Sequence, residues 1–368
     1  MNTSYLIKSL GFIFLLYFSI SLSSCNDKEN DSTESKATPY TLKIPKGFPT
    51  NFSIPANNPM TVEGVKLGRY LYYDERLSGR ADQGLGMSCG SCHKQEFAFE
   101  NGTGFGIGTT GIQTHHVMLP HVNLLWNPGT LGWAGGSKTL EDVVLAVIPL
   151  ESELNSTWPE AVAAIKKIPM YPPMFEKAFG SSDVTPERIS KAIAQFIRTQ
   201  ISADSKFDKM LRGELNFNTS ERNGLVLFTT ENGGDCFHCH GGAGNPLMTT
   251  FLSYNNGKDT LFDTLNDRYS ITHNPIDIGA YKASTLRNIE LNGPYMHDGR
   301  FKTLEEVINF YSQGLVYSKY VHPLMKQVNN GGVQLNPLEK ADLKAFLLTL
   351  TDSAFIHNPA LSDPFKKK

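Results

Sequence analysis

The sequence predicts a mainly α fold with long loops, and three observations predict it. Two nine-residue blocks, Gly135-Gly136-Ser137-Lys138-Thr139-Leu140-Glu141-Asp142-Val143 and Gly299-Arg300-Phe301-Lys302-Thr303-Leu304-Glu305-Glu306-Val307, align without a gap. In each, a threonine stands three residues before an acid, the pattern of a capping box that opens a helix. Helix starts at Thr185-Pro186-Glu187 and Asn336-Pro337 are followed by apolar residues at helical spacing, Ile189, Ile193, Phe196 and Ile197 in one case and Leu343, Phe346, Leu347 and Leu350 in the other. Alternating strand patterns are scarce.

The 368 residues leave room for about two domains and exclude a small disulfide scaffold. With 34 Lys plus Arg against 36 Asp plus Glu the formal charge is -2, so no nucleic-acid partner is expected. Residues 1–24 hold Lys8, an apolar run from Leu10 to Ile20 too short to span a bilayer, and the ending Leu22-Ser23-Ser24-Cys25. They read as a signal peptide, and Leu-Ser-Ser-Cys is similar to the lipobox of bacterial lipoproteins, which makes Cys25 a lipidated membrane anchor. The competing reading is a buried N-terminal helix with an incidental cysteine. A lipoprotein places the chain in the periplasm, or anchored at the outer membrane, of a Gram-negative bacterium. Residues 25–55 read as tether and linker, because Asn26 to Thr38 has too little apolar surface to offset the entropy of ordering.

The other four of the five cysteines lie in Cys89-Gly90-Ser91-Cys92-His93 and Cys236-Phe237-His238-Cys239-His240. On a helical turn, positions i, i+3 and i+4 share a face, so two thiols reach the vinyl groups of one haem while the histidine reaches its iron. Two covalently bound c-type haems follow, with His93 and His240 as proximal iron ligands. Zinc is disfavoured because the cysteine pairs lie far apart in the chain and each is followed by histidine. Redox dithiols are disfavoured because no βαβ pattern surrounds either pair. The repeated blocks then mark two cytochrome-like units in tandem, related by duplication. They are unequal: Tyr311 follows the second cap where Val147 follows the first. If these helices cover the distal haem faces, one iron has a phenolate ligand and the other is open to a small oxidant. Otherwise Tyr311 is a half-buried helix aromatic.

From about Val65 to Leu350 the chain resembles the bacterial dihaem cytochrome c peroxidase and MauG family. The matching stretches are Leu67-Gly68 to Arg76-Leu77-Ser78, both CxxCH motifs, Trp133 to Glu153, Ser205-Lys206-Phe207-Asp208, Leu286-Arg287-Asn288 and Pro294-Tyr295-Met296-His297-Asp298-Gly299. The resemblance implies an N-terminal peroxidatic haem domain, 56–203, and a C-terminal electron-transfer haem domain, 204–368. It implies that Trp133 is the tryptophan between the haems and that Glu153 is the active-site glutamate. A carboxylate there can move the proton that peroxide heterolysis requires; the plain alternative is a solvated loop acid beside Glu151.

Several positions depart from the family pattern. Val143 replaces a glutamine, and Trp133-Ala134-Gly135-Gly136 replaces Trp-Asp-Gly-Arg. Thr109 stands near a histidine that caps the resting iron in reductively activated members, although His115, His116 and His121 follow; an iron open without prior reduction is expected. The family's calcium-binding Arg-Asn pair aligns with His116-Val117, which leaves one interhaem calcium ion open, with carbonyls of Asn292 and Pro294 as remaining ligands. Tyr311 stands where peroxidase members have methionine, as in MauG-like members; Met296 is the alternative iron ligand. The leading function is reduction of hydrogen peroxide to water with electrons from a small redox protein such as a cytochrome c. The alternatives are MauG-like oxidation of a protein or small molecule through a high-valent dihaem state, and a non-catalytic dihaem electron carrier.

Overall fold

The computed structural model describes residues 37–366. The expected signal peptide, Cys25 and the first part of the tether lie outside the described residues. Among the described residues no helix is long and apolar enough to cross a membrane.

The chain is mostly helical with little sheet. Its first half contains α1 (Val62–Tyr72), α2 (Cys89–Cys92), α3 (Leu140–Val147), α4 (Trp158–Lys166), α5 (Tyr171–Phe179) and α6 (Pro186–Arg198). The second contains α7 (Lys206–Leu211), α8 (Thr219–Phe228), α9 (Phe237–His240), α10 (Tyr269–Thr272), α11 (Leu304–Gln313), α12 (Pro337–Leu348) and α13 (Ser353–Ile356). The described strands form two antiparallel pairs: β1 (Phe105–Ile107) with β2 (Gln113–Val117), and β3 (Ser253–Tyr254) with β4 (Tyr281–Lys282).

Both repeated blocks open helices through the expected caps. Thr139 accepts from the Asp142 amide at 3.1 Å while Asp142 accepts from the Thr139 amide, and Thr303 and Glu306 do the same for α11. Thr185 and Asn336 cap α6 and α12. Each half also has a tight helix crossing at a glycine. A Cβ on Gly68 of α1 would stand 1.8 Å from the Ala192 carbonyl oxygen of α6, and one on Gly224 of α8 would stand 2.0 Å from the Asp342 carbonyl oxygen of α12. Only a residue without a side chain allows these backbones so close.

Buried apolar residues form one cluster around Leu67, Leu71, Ile193 and Phe196 and another around Phe207, Phe228, Leu343 and Phe346. The C-terminal segment crosses to the first cluster. Phe355 and Leu361 pack into the first cluster, where Arg69 donates to the Ser362 carbonyl at 2.7 Å and Tyr73 to the Leu361 carbonyl at 2.7 Å. At the other end, Phe48 and Phe52 join Trp126 and Leu247 in a third cluster. The passage between halves is polar and buried: Asp352 accepts from the Ser202 hydroxyl and from the Ala203 and Asp204 amides at 2.8–3.0 Å. Nearby, Arg287 and Asp208 form an ion pair whose side chains are 0% and 2% exposed.

Candidate functional site

The two CxxCH motifs occupy short helical turns, because the His93 amide donates to the Cys89 carbonyl at 2.8 Å and the His240 amide to the Cys236 carbonyl at 3.1 Å. This brings both thiols and the imidazole of each motif to one cavity. Cys89, Cys92 and His93 line an N-terminal cavity, and Cys236, Cys239 and His240 line a C-terminal one. With their mouths included, the cavities enclose 1300 and 1690 Å³ of open space.

The donor chemistry fits haem. His93 Nδ1 donates to the Phe99 carbonyl at 2.9 Å and His240 Nδ1 to the Ser284 carbonyl at 3.2 Å, which fixes the tautomer and leaves a lone pair on each Nε2. Burial pushes both imidazoles down to about 4, so they are neutral, as metal ligation requires. Burial pushes the Cys89, Cys236 and Cys239 thiols up to about 12 and Cys92 to about 11, the reverse of a reactive redox cysteine. Among the described residues no group of three or more His, Cys, Asp or Glu is placed to hold a metal ion, so the two cysteine pairs do not converge on a zinc site.

The repeated helices form equivalent walls. Val143, Val144 and Val147 of α3 line the N-terminal cavity, while Val307, Ile308 and Tyr311 of α11 line the C-terminal one. Tyr311 accepts a hydrogen bond from Asn256 Nδ2 at 3.0 Å, and the same nitrogen lies 3.8 Å from Met296 Sδ. Both candidate ligands therefore face one cavity, with the amide bonded to the oxygen. Burial pushes the Tyr311 phenol up, so forming a phenolate here requires a bound cation.

Glu153 lines the N-terminal cavity, in the turn that follows α3, while Glu151 is exposed. Burial alone raises the Glu153 carboxyl to about 7. Its backbone is held by Thr109, whose amide donates to the Glu153 carbonyl at 3.0 Å and whose hydroxyl donates to the Leu154 carbonyl at 3.3 Å. Thr109 thus places no imidazole on the Glu153 turn, while His121 lines this cavity beside His93. Of the histidines that follow, His115 pairs with Asp263 at 2.9 Å, His116 donates to the Asn266 carbonyl at 3.1 Å, and His121 stacks beside His93 with ring centres 3.6 Å apart.

Leu119, Pro120, Lys282, Ser284 and Thr285 line both cavities and form the wall between them. Trp133 lies against this wall: its carbonyl accepts from the Lys282 amide at 3.0 Å and its indole donates to the Val117 carbonyl at 2.7 Å. Beside it, His297 stacks on Tyr281 at 3.6 Å. Asn292 Oδ1 and Glu100 Oε1 are buried with no hydrogen-bond partner among the described residues.

Asn256, His121 and Lys282 are the site residues that sequence reasoning did not assign. His121 alone carried a signal, as an imidazole near the expected cap; the other two enter the cavities only through the fold.

The family model for di-haem cytochrome c peroxidase matches residues 62–216. Cytochrome c551 peroxidase of Nitrosomonas europaea is 33% identical over 307 residues, covering 81% of this chain and 83% of that protein. The methylamine utilization protein MauG of Methylophilus methylotrophus is 28% identical over 307 residues, covering 83% and 88%. Among solved structures, a MauG-like protein associated with microbial copper homeostasis superimposes with a TM-score of 0.79 at 34% identity, covering 89% of this chain and all of that one.

Proposed function

Because this chain belongs to the di-haem cytochrome c peroxidase family, we propose that it reduces hydrogen peroxide to water at the N-terminal cavity, with electrons delivered through the C-terminal one by a small redox protein such as a cytochrome c. It is an oxidoreductase of the cytochrome c peroxidase type, with haem c as its cofactor. In this assignment Cys89 and Cys92 would hold one haem and Cys236 and Cys239 the other, in domains 56–203 and 204–368, and His93 and His240 would each supply an iron ligand. Bound haem supplies the redox chemistry that cleaves the O–O bond.

The inequality of the two cavities carries the assignment. They share a CxxCH turn and an equivalent helix wall, but Glu153 and Val147 line one where Tyr311 lines the other. Valine cannot ligate iron, which leaves room for peroxide. Glu153, ionised, is placed to accept and return a proton for a peroxide in this cavity, and the overall reaction would take up two electrons and two protons to convert one peroxide into two waters. Thr109, fixed on the Glu153 turn without an imidazole, supports an iron accessible without prior reduction. Trp133, on the wall between the cavities, carries electrons across. The buried oxygens of Asn292 and Glu100 are the donor type a calcium ion takes, and we keep one calcium in the proposal. Lipidation at Cys25 would attach the protein to a membrane facing the periplasm.

Steady-state consumption of hydrogen peroxide with reduced cytochrome c tests the proposal. Turnover well above that of free haem is expected, and turnover at the free-haem level overturns it.

Tyr311 as the second axial ligand of the C-terminal haem gives a separate expectation. Tyr311→Phe should convert that haem to a high-spin spectrum, while Met296→Leu leaves it unchanged; the opposite pattern assigns Met296. The hydrogen bond from Asn256 to the Tyr311 oxygen favours the first outcome, since an amide donor stabilises a phenolate. An anionic ligand also lowers the potential of this haem relative to a thioether. That observation favours, as a second function, oxidation of another protein or a small molecule in the manner of MauG. A protein that oxidises by peroxide yet accepts no electrons from reduced cytochrome c would establish it.

A further inference from the structure

Among the described residues, Lys282 is a buried cation without an anion. It is 7% exposed, and among the described residues its ammonium donates one hydrogen bond, to the Thr130 carbonyl at 3.1 Å. Among the described residues it enters no ion pair, whereas Lys258, of similar burial, pairs with both Asp259 and Asp298. Burial without a nearby carboxylate depresses its pKa to about 8. A desolvated ammonium on one neutral carbonyl is a poor arrangement, because the carbonyl returns only part of the lost hydration.

Its position indicates where the missing anion comes from. Lys282 ends β4, its amide is held by the Trp133 carbonyl at 3.0 Å, and the residue lines both cavities. Nothing on the wall between them supplies negative charge: Leu119, Pro120, Ser284 and Thr285 are neutral. A haem brings two propionate carboxylates into each cavity. We propose that Lys282 is a propionate-binding residue, the cation at which haem carboxylates are held on the wall between the two cavities. This rests on the assignment of one haem to each cavity.

The ammonium then does two things. It anchors the cofactor's polar edge at the wall that also carries Trp133, and it favours the reduced iron, which has one positive charge fewer than the oxidised form. Replacing it by a neutral side chain should lower the potential of whichever haem it serves, and of both if it is shared.

The test is a redox titration of the full-length holoprotein, wild type against Lys282→Met and Lys282→Arg, after haem has been counted. Fewer than two haems per wild-type chain overturns the underlying assignment and not the role of Lys282. With two haems present, Lys282→Met is expected to lower at least one midpoint potential by tenfold or more in the one-electron equilibrium, about 59 mV, with Lys282→Arg within threefold of wild type. Potentials within threefold of wild type in Lys282→Met overturn the proposal, as does an equal fall in Lys282→Arg. If Lys282→Met does not incorporate haem, Lys282→Gln and Lys282→Arg decide. Haem retained with arginine and either lost or lowered in potential with glutamine supports the proposal. Haem lost with arginine, or held at wild-type potential with glutamine, overturns it.

Discussion

Glu153→Gln is expected to lower the kcat/KM for hydrogen peroxide by about 10²- to 10⁴-fold, the range that a positioned general acid–base contributes, while two haems per chain are retained. Glutamine keeps the size of the side chain and removes its ability to accept a proton. The same residue predicts the pH profile. Glu153 must be ionised to take the first proton, and burial holds its carboxyl near pH 7. Turnover should therefore fall as pH drops below about 7 and level off above it, and the Glu153→Gln profile should be flat across that window. Stopped-flow measurement of peroxide decay from pH 5 to 9 checks both statements. An unchanged rate in the variant would return Glu153 to the status of a bystander on the cavity wall.

Arg287→Met is expected to cost about 3–5 kcal/mol of stability, the range for breaking a buried ion pair by removing one partner. Arg287 is fully buried, with a two-nitrogen contact to Asp208 and a further bond to the Pro246 carbonyl at 2.8 Å. Without it, Asp208 keeps its bonds from the Ser205 amide and hydroxyl but loses its counter-charge. Against a total stability of about 5–15 kcal/mol this is a large share. The damage also reaches the site, because Arg287 lies three residues from Ser284, whose carbonyl holds His240. Urea unfolding of the holoprotein measures the loss, and Arg287→Met/Asp208→Leu should recover part of it by removing the orphaned charge. A single variant within 1 kcal/mol of wild type would contradict the energetics given for this pair.

These two residues mark how far the sequence could be read. The capping boxes at Thr139 and Thr303 and the CxxCH turns were legible because every group involved lies within five residues of its partner. The repeat carried further than its nine matched positions: it placed Val147 and Tyr311 as counterparts, and in the fold each lines the cavity of its own half. Glu153 was visible only through its distance from Trp133, since nothing local separates it from the exposed Glu151. Lys282 and Asn256 were not legible at all. Lys282 becomes unusual only when the segment around Leu119 and Pro120 and the strand before Ser284 build one wall, and Asn256 matters only because α11 brings Tyr311 to it. The crossing of the C-terminal segment to the first half was hidden for a different reason. Arg69 and Tyr73 grip the segment near Leu361 and Ser362 through main-chain carbonyls, which carry no residue-specific signal.

The central claim is one accessible iron on His93 beside one iron held by both His240 and Tyr311. Low-temperature electron paramagnetic resonance of the oxidised protein, with haem content measured on the same sample, tests it most directly. The account predicts two haems per chain, one with a high-spin ferric signal and one with a low-spin signal. Two low-spin signals with no high-spin component would contradict it, because both irons would then be capped and neither cavity could admit peroxide.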